Sequence, residues 1–250
     1  MRPVRAPSPL YRSRGRASAD EPVWLFDLDN TLHDASHAIF KTIDQRMAQA
    51  VATSLGVDTE TANTLRTRYW KRYGATVIGL VRHHGVRARD FLALSHDFEI
   101  APLVHGETGL AARFRQFPGR KILLTNAPED YAREVLRALG ILQCFDGLWA
   151  IEHMTLQGRM RPKPSLALMR QVLARLKVPA GQVTLVEDTL GNLKSARQAG
   201  MRTVYLYHPG TPFSTLRHGR DLYVDTRINA LWPLLIRRRG HGTPGNRGRA

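Results

Sequence analysis

The sequence has few of the features that membrane-spanning or disulfide-stabilised proteins require. Its 250 residues include a single cysteine, Cys144, so an internal disulfide is excluded. No stretch approaches the roughly 20 consecutive apolar residues that cross a bilayer, and the N-terminus has no apolar block typical of a secretory signal. These absences predict a soluble protein of a reducing compartment, the cytoplasm, with no membrane partner.

Acidic residues are missing from both ends of the chain. Residues 1–19 hold five arginines and residues 236–250 hold five more, which together account for ten of the sixteen net positive charges. Because segments rich in Arg, Gly, Pro and Ser bury little apolar surface, we expect disordered basic tails over residues 1–20 and 236–250. Weak binding of nucleic acid through the tails, or a targeting role for the N-terminal one, stays open.

Between the tails, apolar runs alternate with helical patterns, and their order predicts the fold. The apolar runs indicate strands at Val23–Phe26, Lys121–Leu124, Val183–Val186, Thr203–Tyr207 and, more weakly, near Leu222–Val224. The helical patterns cover Glu129–Leu139, Ser165–Leu176 and Leu190–Ala199. Alternation of strands and helices is typical of a parallel sheet covered on both faces. The predicted fold class is therefore doubly wound α/β.

One stretch interrupts this alternation and has helical periodicity throughout. Its four helical patterns cover Ile39–Ser54, Glu60–Tyr73, Thr76–His84 and Arg89–Phe98. Because they follow the first strand, we expect them to form a small cap over the carboxyl ends of the strands, where open α/β sheets bind ligands. The predicted domains are an α/β core of residues 21–33 and 109–235 and a helical cap of residues 34–108.

Polar side chains follow the first predicted strand at alternate positions. Asp27, Asp29 and Thr31 come directly after an apolar run. Alternate residues of an extended chain point to the same side, about 6.5 Å apart, so two carboxylates and a hydroxyl are expected together. Two anions this close need a metal ion or a retained proton. The pattern predicts a catalytic site, and its alternative is an ordinary strand exit, where Asp, Asn and Thr are also common.

Three more loops carry groups that complement these acids. Thr125 and Asn126 follow the second strand, Glu187 and Asp188 follow the third, and Lys163 stands between two prolines just ahead of a helix. Carboxylates suit a cation, whereas a hydroxyl, an amide and an ammonium suit an anion. Together, the loops predict a site that binds both a cation and an anion.

These residues resemble the four motifs of the haloacid dehalogenase-like hydrolase superfamily. In chain order the matching segments are Asp27-Leu28-Asp29-Asn30-Thr31, Thr125-Asn126, Lys163 and Glu187-Asp188. The resemblance covers about residues 22–210. Dehalogenating members lack an acid two residues after the nucleophile, whereas phosphate-transferring members have one. Asp29 therefore favours phosphate chemistry.

The resemblance implies how the first motif acts. Asp27 is expected to attack phosphorus and form an aspartyl-phosphate. Asp29 is expected to protonate the leaving oxygen and then to activate the hydrolytic water, while Thr31 helps to fix the geometry of the loop.

The resemblance also implies how phosphate and metal are held. Thr125, Asn126 and Lys163 are expected to bind phosphate. Mg²⁺ is expected on the Asp27 carboxylate, the Asp29 backbone carbonyl and Asp188, a set of oxygen ligands that suits this ion. Glu187 is expected beside the metal, where it either holds a water molecule or is itself a ligand.

The helical segment from Tyr69 to Gly85 is similar to the cap of pyrimidine 5′-nucleotidases in this superfamily. Tyr69, Tyr73, Arg82 and His83 are candidates for binding a base, because aromatic faces and planar cations suit nucleobases. The tyrosines also stand at helical spacing, so packing inside the cap is the alternative for them. For His83 and its neighbour His84, a helix-end pair is the alternative to a metal site.

The predicted function is hydrolysis of a small phosphorylated metabolite by a Mg²⁺-dependent phosphomonoesterase, a monomer or dimer. The cap resemblance suggests a pyrimidine nucleoside 5′-monophosphate such as UMP or CMP. An enzyme that passes the phosphate to an alcohol, as a phosphotransferase or mutase acting on a sugar phosphate, is an alternative because it uses the same intermediate. A non-enzymatic alternative is a polyanion-binding protein that acts through its basic tails.

Overall fold

The computed structural model describes residues 10–11, 21–207 and 222–236. In these ranges the strands are β1 (Leu10–Tyr11), β2 (Val23–Phe26), β3 (Arg120–Leu124), β4 (Gly147–Trp149), β5 (Thr155–Leu156), β6 (Arg159–Met160), β7 (Val183–Glu187), β8 (Arg202–Leu206) and β9 (Thr226–Ile228). The helices are α1 (Ile39–Leu55), α2 (Thr59–Tyr73), α3 (Thr76–His84), α4 (Ala88–Ser95), α5 (Leu110–Gln116), α6 (Glu129–Ala138), α7 (Leu166–Leu176), α8 (Leu190–Gln198) and α9 (Trp232–Leu235).

Parallel strands form the centre of the molecule, in the order β4-β3-β2-β7-β8-β9. The first strand of the core lies in the middle, where Leu25 is paired with Ile122 on one side and with Leu185 on the other. The three central strands β3, β2 and β7 are almost entirely buried, as expected for apolar runs in a sheet covered on both faces. The doubly wound α/β fold predicted from the sequence is confirmed.

Helices cover both faces of the sheet because side chains alternate between the faces along each strand. On one face Phe26 packs with Phe114 and the apolar side of α6. On the other face Leu25 packs with Leu168 of α7 and Leu193 of α8. The two apolar layers fix the strands, so that the loops at their carboxyl ends are held from both sides.

Helices α1 to α4 follow β2 and have an apolar core of their own. Val51, Leu80 and Phe91 are buried in it, and Ile151, from the loop after β4, packs into the same cluster. The helical insert predicted after the first strand is therefore present, whereas its boundaries at residues 34 and 108 stay a prediction. Among the described helices, none is both long enough and apolar enough to cross a membrane.

Two predicted elements were wrong in position, and side-chain hydrogen bonds explain one of them. The helix expected to run to Phe98 ends at Ser95, because the Ser95 hydroxyl donates to the Leu92 carbonyl in the last turn. The strand expected near Leu222–Val224 lies at Thr226–Ile228 instead. Leu222 is 90% exposed, which is incompatible with a place inside the sheet.

Some strands were not predicted because they are short. Gly147–Trp149 adds three residues to the parallel sheet, and β5 and β6 form a small antiparallel hairpin. Leu10–Tyr11 pairs antiparallel with β4, which corrects the expectation that residues 1–20 are disordered throughout. Apart from residue 236, the rest of the predicted tails falls in 1–9, 12–20 and 237–250, outside the described residues.

Candidate active site

The first functional loop begins where β2 ends. The Asp27 amide donates to the Val186 carbonyl at 3.0 Å, so the pairing with β7 continues one residue past the strand. Leu28 is fully buried in the core. Because Leu28 faces the core, its neighbours Asp27 and Asp29 direct their carboxylates away from it. The alternation of polar and apolar residues in the sequence therefore produces a polar cluster.

Lys163 lies at the centre of the cluster, between two carboxylates. Its Nζ is 2.5 Å from Asp27 Oδ1 and 2.7 Å from Glu187 Oε2. All three side chains are buried. The Asp27, Glu187 and Asp188 carboxylates each offer an oxygen within 4.8 Å of the others, an arrangement that could hold a metal ion.

Burial and mutual repulsion raise the pKa values of these acids. Burial raises the pKa of Asp27 to about 8, and the Glu187 carboxylate adds to this effect while Lys163 opposes it. Burial likewise raises the pKa of Glu187 to about 7, again opposed by Lys163. Burial and the Asp27 charge raise the pKa of Asp188 to about 6. Without a further positive charge, the cluster therefore holds protons near neutral pH.

The lysine itself stays charged. Burial alone would lower the pKa of Lys163, but the Asp27 and Glu187 carboxylates outweigh burial and raise it above its ordinary value. Three ionised carboxylates and one ammonium leave two negative charges in the cluster. A divalent cation would balance them, and an all-oxygen donor set suits a hard cation such as Mg²⁺.

The predicted phosphate ligands divide into two kinds. Asn126 is paired with the backbone of Lys163, since its Oδ1 accepts from the Lys163 amide at 2.9 Å and its Nδ2 donates to the Lys163 carbonyl at 3.0 Å. Thr125 accepts from the Ala127 amide through its hydroxyl. Asn126 thus fixes the backbone that carries the ammonium, a positional role that the sequence did not indicate.

Glu187 and Asp188 are the fourth predicted loop, and their side chains have different neighbours. Glu187 accepts from the Asn192 amide group as well as from Lys163, and its second oxygen accepts from the Thr189 amide. Asp188 accepts from the Thr189 hydroxyl at 3.1 Å. The more heavily hydrogen-bonded carboxylate is that of Glu187, which leaves Asp188 the more available to a cation.

The loop after Asp27 folds back on itself. Asn30 has a left-handed backbone with φ of 57°, a conformation that asparagine tolerates, and its Oδ1 accepts from Ser36. The turn brings His33 to within 2.9 Å of Asp29. Thr31 is buried, and its hydroxyl has no hydrogen-bond partner within the described ranges.

The predicted cap residues lie together on α2 and α3. Tyr69 is buried, its hydroxyl is 2.7 Å from His84 Nε2, and its ring fills the space in which a side chain at Gly79 would stand. The Tyr73 hydroxyl is 2.6 Å from His83 Nε2. Tyr69 therefore packs the cap, which was the alternative to base binding for this residue.

Arg82 and Tyr73 belong to the outer part of the same cluster. The Arg82 guanidinium lies 5.8 Å from the centre of the Tyr73 ring. His83 stacks on the Tyr69 ring at 5.5 Å. None of the contacts described for these cap residues is with Asp27, Glu187 or Asp188, so their role in binding a substrate stays a prediction.

Two residues near the acids were missed at the level of sequence. Tyr131, on α6, donates to Asp29 Oδ1 at 2.7 Å, and His33 contacts the same oxygen. His33 continues the alternation of positions 27, 29 and 31, which is a signal that could have been read. Tyr131 is 102 residues from Asp29 in the chain, and no local pattern indicates such a contact.

A doubly wound sheet that gathers buried carboxylates and a lysine at the carboxyl ends of its strands defines an α/β enzyme whose chemistry resides in strand-end loops. The sequence matches the haloacid dehalogenase-like hydrolase family over residues 23–200, and the chain belongs to this family. The order of the four loops along the chain agrees with the resemblance found in the sequence.

Three proteins to which the chain is similar share less than 30% of their residues with it. Phosphate metabolism protein 8 of Saccharomyces cerevisiae is 23% identical over 193 residues, 72% of this chain but only 59% of the yeast protein. Phosphoglycolate phosphatase of Pseudomonas syringae pv. tomato is 27% identical over 212 residues, 76% of this chain and 72% of that protein. The crystal structure of CbbY from Rhodobacter sphaeroides in complex with phosphate has a TM-score of 0.56 at 21% identity, over 86% of this chain and 96% of that one.

Proposed function

We propose that the chain is a phosphomonoesterase that acts through an aspartyl-phosphate on Asp27. The observation that carries the proposal is the buried cluster in which the Asp27 carboxylate lies beside the Lys163 ammonium and two further acids. The phosphatase among the relatives supports the same reaction. Asp29, two residues after the proposed nucleophile, supplies the acid and base that hydrolysis of a phosphate ester requires.

The proposed reaction has two halves. In the first, an Asp27 oxygen bonds to phosphorus, the bond from phosphorus to the ester oxygen breaks, and the Asp29 carboxyl group gives that oxygen a proton. In the second, Asp29 takes a proton from water as the water oxygen attacks phosphorus, and the bond from phosphorus to Asp27 breaks. The products are an alcohol and inorganic phosphate, and both aspartates return to their initial states.

Lys163 is proposed to balance charge on the phosphoryl oxygens during both halves. An ammonium has three N–H donors, and two of them are directed at Asp27 and Glu187. The third is left for an oxygen of the substrate. Fixed positive charge directed at the transferring group is the largest part of what this reaction requires of a protein, and Asn126 holds the lysine backbone in place for it.

The proposed cofactor is Mg²⁺, held by Asp27, Asp188 and the backbone carbonyl of Asp29. Glu187 is placed beside the ion rather than on it, because its Oε2 already accepts from Lys163 and Asn192 and its Oε1 accepts from the Thr189 amide. The buried acids fit this ion because they supply hard oxygen donors and, when all three are ionised, an excess of two negative charges over Lys163. When bound, the cation would neutralise charge on a phosphoryl oxygen.

Mg²⁺ is expected to stabilise the protein more as pH rises. The pKa values of Asp27, Glu187 and Asp188 are raised by folding to about 8, 7 and 6, so the folded state binds more protons than the unfolded state, and stability without the ion falls from about pH 4 to pH 8. A saturating cation opposes this loss and is expected to raise the melting temperature by roughly 5 to 10 °C at pH 8.5.

The measurement is thermal unfolding at pH 5.5, 7.0 and 8.5, in EDTA and in excess Mg²⁺. Asp188→Asn serves as the matched variant, since it removes one ligand and is expected to lose most of the Mg²⁺ response. Identical melting temperatures with and without the ion at pH 8.5 would contradict the proposed metal site.

The proposed substrate is a pyrimidine nucleoside 5′-monophosphate. Support comes from the cap segment, in which Tyr73, Arg82 and His83 form an aromatic and cationic cluster on adjoining helices. Aromatic rings and guanidinium planes stack on nucleobases. A location in the cytoplasm and a monomeric or dimeric state are further expectations.

The test is phosphate release from a panel of UMP, CMP, AMP, phosphoglycolate and glucose 6-phosphate. We expect the highest kcat/KM for UMP or CMP, with all activity lost in EDTA. Tyr73→Phe removes the hydroxyl and keeps the ring, and is expected to preserve activity if stacking is what the ring supplies. Release of phosphate from none of the five esters in the presence of Mg²⁺ would refute the proposed activity.

Another small organic phosphate is the second candidate substrate. The relative from Pseudomonas syringae is named for phosphoglycolate, and its match covers most of both chains. A preference for phosphoglycolate or glucose 6-phosphate over UMP in the same panel would favour this candidate. It would leave the core chemistry unchanged and reject the nucleotide-binding role of the cap.

A further inference from the structure

Asp29 is held by two donors that belong to none of the four motifs. The Tyr131 hydroxyl donates to Asp29 Oδ1 at 2.7 Å, and His33 Nε2 lies 2.9 Å from the same oxygen. A carboxyl oxygen that carries no proton only accepts hydrogen bonds, and Oδ1 already accepts from Tyr131, so the His33 nitrogen is the donor. Both hydrogen bonds therefore fall on one oxygen, and the other oxygen of the carboxyl group, Oδ2, is left for a reacting partner.

The two donors are themselves fixed by the fold. His33 is buried and sits on the turn that leaves Asp29, where residues 29 and 33 form a backbone bridge. Tyr131 is also buried and stands on the first part of α6. The ring of His96, at the end of α4, packs against the Tyr131 ring edge to face, with 5.1 Å between centres. Asp29 is thus held from its own loop and from a separate helix.

The protonation of the surrounding groups agrees with a lasting donor role. Burial, reinforced by the nearby Asp29 charge, raises the pKa of Tyr131 well above its ordinary value, so the phenol keeps its proton. Burial lowers the pKa of His96 to about 4, so its ring is neutral beside the phenol.

We propose that Tyr131 and His33 are positioning residues, which fix Asp29 through Oδ1 so that Oδ2 carries the proton to the leaving oxygen. The inference rests on the proposed phosphatase reaction. In the step concerned, the bond from phosphorus to the leaving oxygen breaks while the Asp27 oxygen bonds to phosphorus. The proton on Asp29 Oδ2 moves to the leaving oxygen, and Asp29 becomes a carboxylate.

Comparing kcat/KM for esters with different leaving groups distinguishes this positioning role from a purely structural one. An alkoxide is a poor leaving group and needs the proton, whereas 4-nitrophenolate leaves without it. Because kcat/KM reports the steps up to release of the first product, it isolates proton donation from the later hydrolysis of the intermediate. Loss of the correct orientation of Asp29 is therefore expected to lower kcat/KM strongly for an alkyl ester and only slightly for the aryl ester.

The experiment compares Tyr131→Phe with the wild-type protein on the best alkyl phosphate of the panel and on 4-nitrophenyl phosphate. We expect kcat/KM to fall roughly tenfold or more for the alkyl ester and less than about threefold for the aryl ester. His33→Leu, on a different element, is expected to give the same pattern. Tyr207→Phe is the matched control, with neither value expected to change: Tyr207 follows β8 and packs with the apolar layer on the opposite face of the sheet from Tyr131.

Each other result has a definite meaning. Equal losses on both esters, or no loss on either, in Tyr131→Phe and His33→Leu would overturn the inference and leave the phosphatase proposal standing. Hydrolysis of neither ester by the wild-type protein would overturn the proposed function and the role of Asp29 with it. A melting temperature for each variant identifies any loss that comes from unfolding.

Discussion

Asp27→Asn is expected to abolish phosphate release, with a loss of kcat on the order of 10⁴-fold or more. The amide has nearly the same shape as the carboxylate and can still accept from Lys163, so the substitution removes the nucleophile and changes little else. The measurement is the steady-state rate with the best substrate of the panel. A burst of the first product would be absent as well, because no phosphoryl-enzyme forms.

The stability of the same variant separates chemistry from folding. Because the pKa of Asp27 is raised to about 8, its charged form destabilises the fold at pH 8.5 when no cation is present. Asp27→Asn in EDTA is therefore expected to melt at the same temperature as the wild-type protein or higher. Asp34→Asn, an exposed position in the same loop, is the control and is expected to keep its activity. Substantial turnover by Asp27→Asn would contradict the proposed nucleophile.

Lys163→Met is expected to reduce both stability and activity. The substitution keeps most of the side-chain volume and leaves Asp27 and Glu187 buried next to each other without the ammonium that now lies between them. Loss of one partner from a buried ionic group costs about 3–5 kcal/mol. Turnover is expected to fall by roughly 10³-fold, because the fixed charge that faces the phosphoryl group is gone.

The loss of stability in Lys163→Met is expected to depend on pH. At pH 5.5 the two carboxylates retain protons and the missing charge matters less, whereas at pH 8.5 the difference from the wild-type protein is largest. Lys194→Met, on the exposed side of α8, is the matched control and is expected to match the wild-type protein. Denaturant unfolding at both pH values measures the effect. A variant as stable as the wild-type protein at pH 8.5 would show that the buried charges are balanced in another way.

Much of the core could be predicted because its signals are local. The strand Val23–Phe26 was predicted to the residue, since an apolar run of four is bounded by Pro22 on one side and by Asp27 on the other. The four loops were predicted to meet because parallel strands end at one edge of a sheet. The strand at Gly147–Trp149 was not predicted, because a segment of three residues that begins with glycine is too short to show a periodic pattern.

The remainder of the site depends on contacts that the sequence does not encode locally. Tyr131 lies among the buried residues of α6, so its spacing reads as ordinary packing. The sequence also left open whether Glu187 lies near Asp188 at the cation, because side chains of adjacent residues in a strand point to opposite faces of the sheet. Alternation ends with the strand at Glu187, and the chain then turns into α8, so both carboxylates reach the same cluster as Asp27.

The end of α2 meets the loop that carries Lys163 at Gly74, where a side chain would be tight and the backbone conformation favours glycine. Gly74 has a φ of 81°, and a methyl group there would stand 3.3 Å from the Lys163 carbonyl oxygen. Helix α2 and the loop that carries Lys163 are therefore in close backbone contact. A chimera that joins α1 to α4 to the core of another protein would therefore have to include both Gly74 and the loop that carries Lys163.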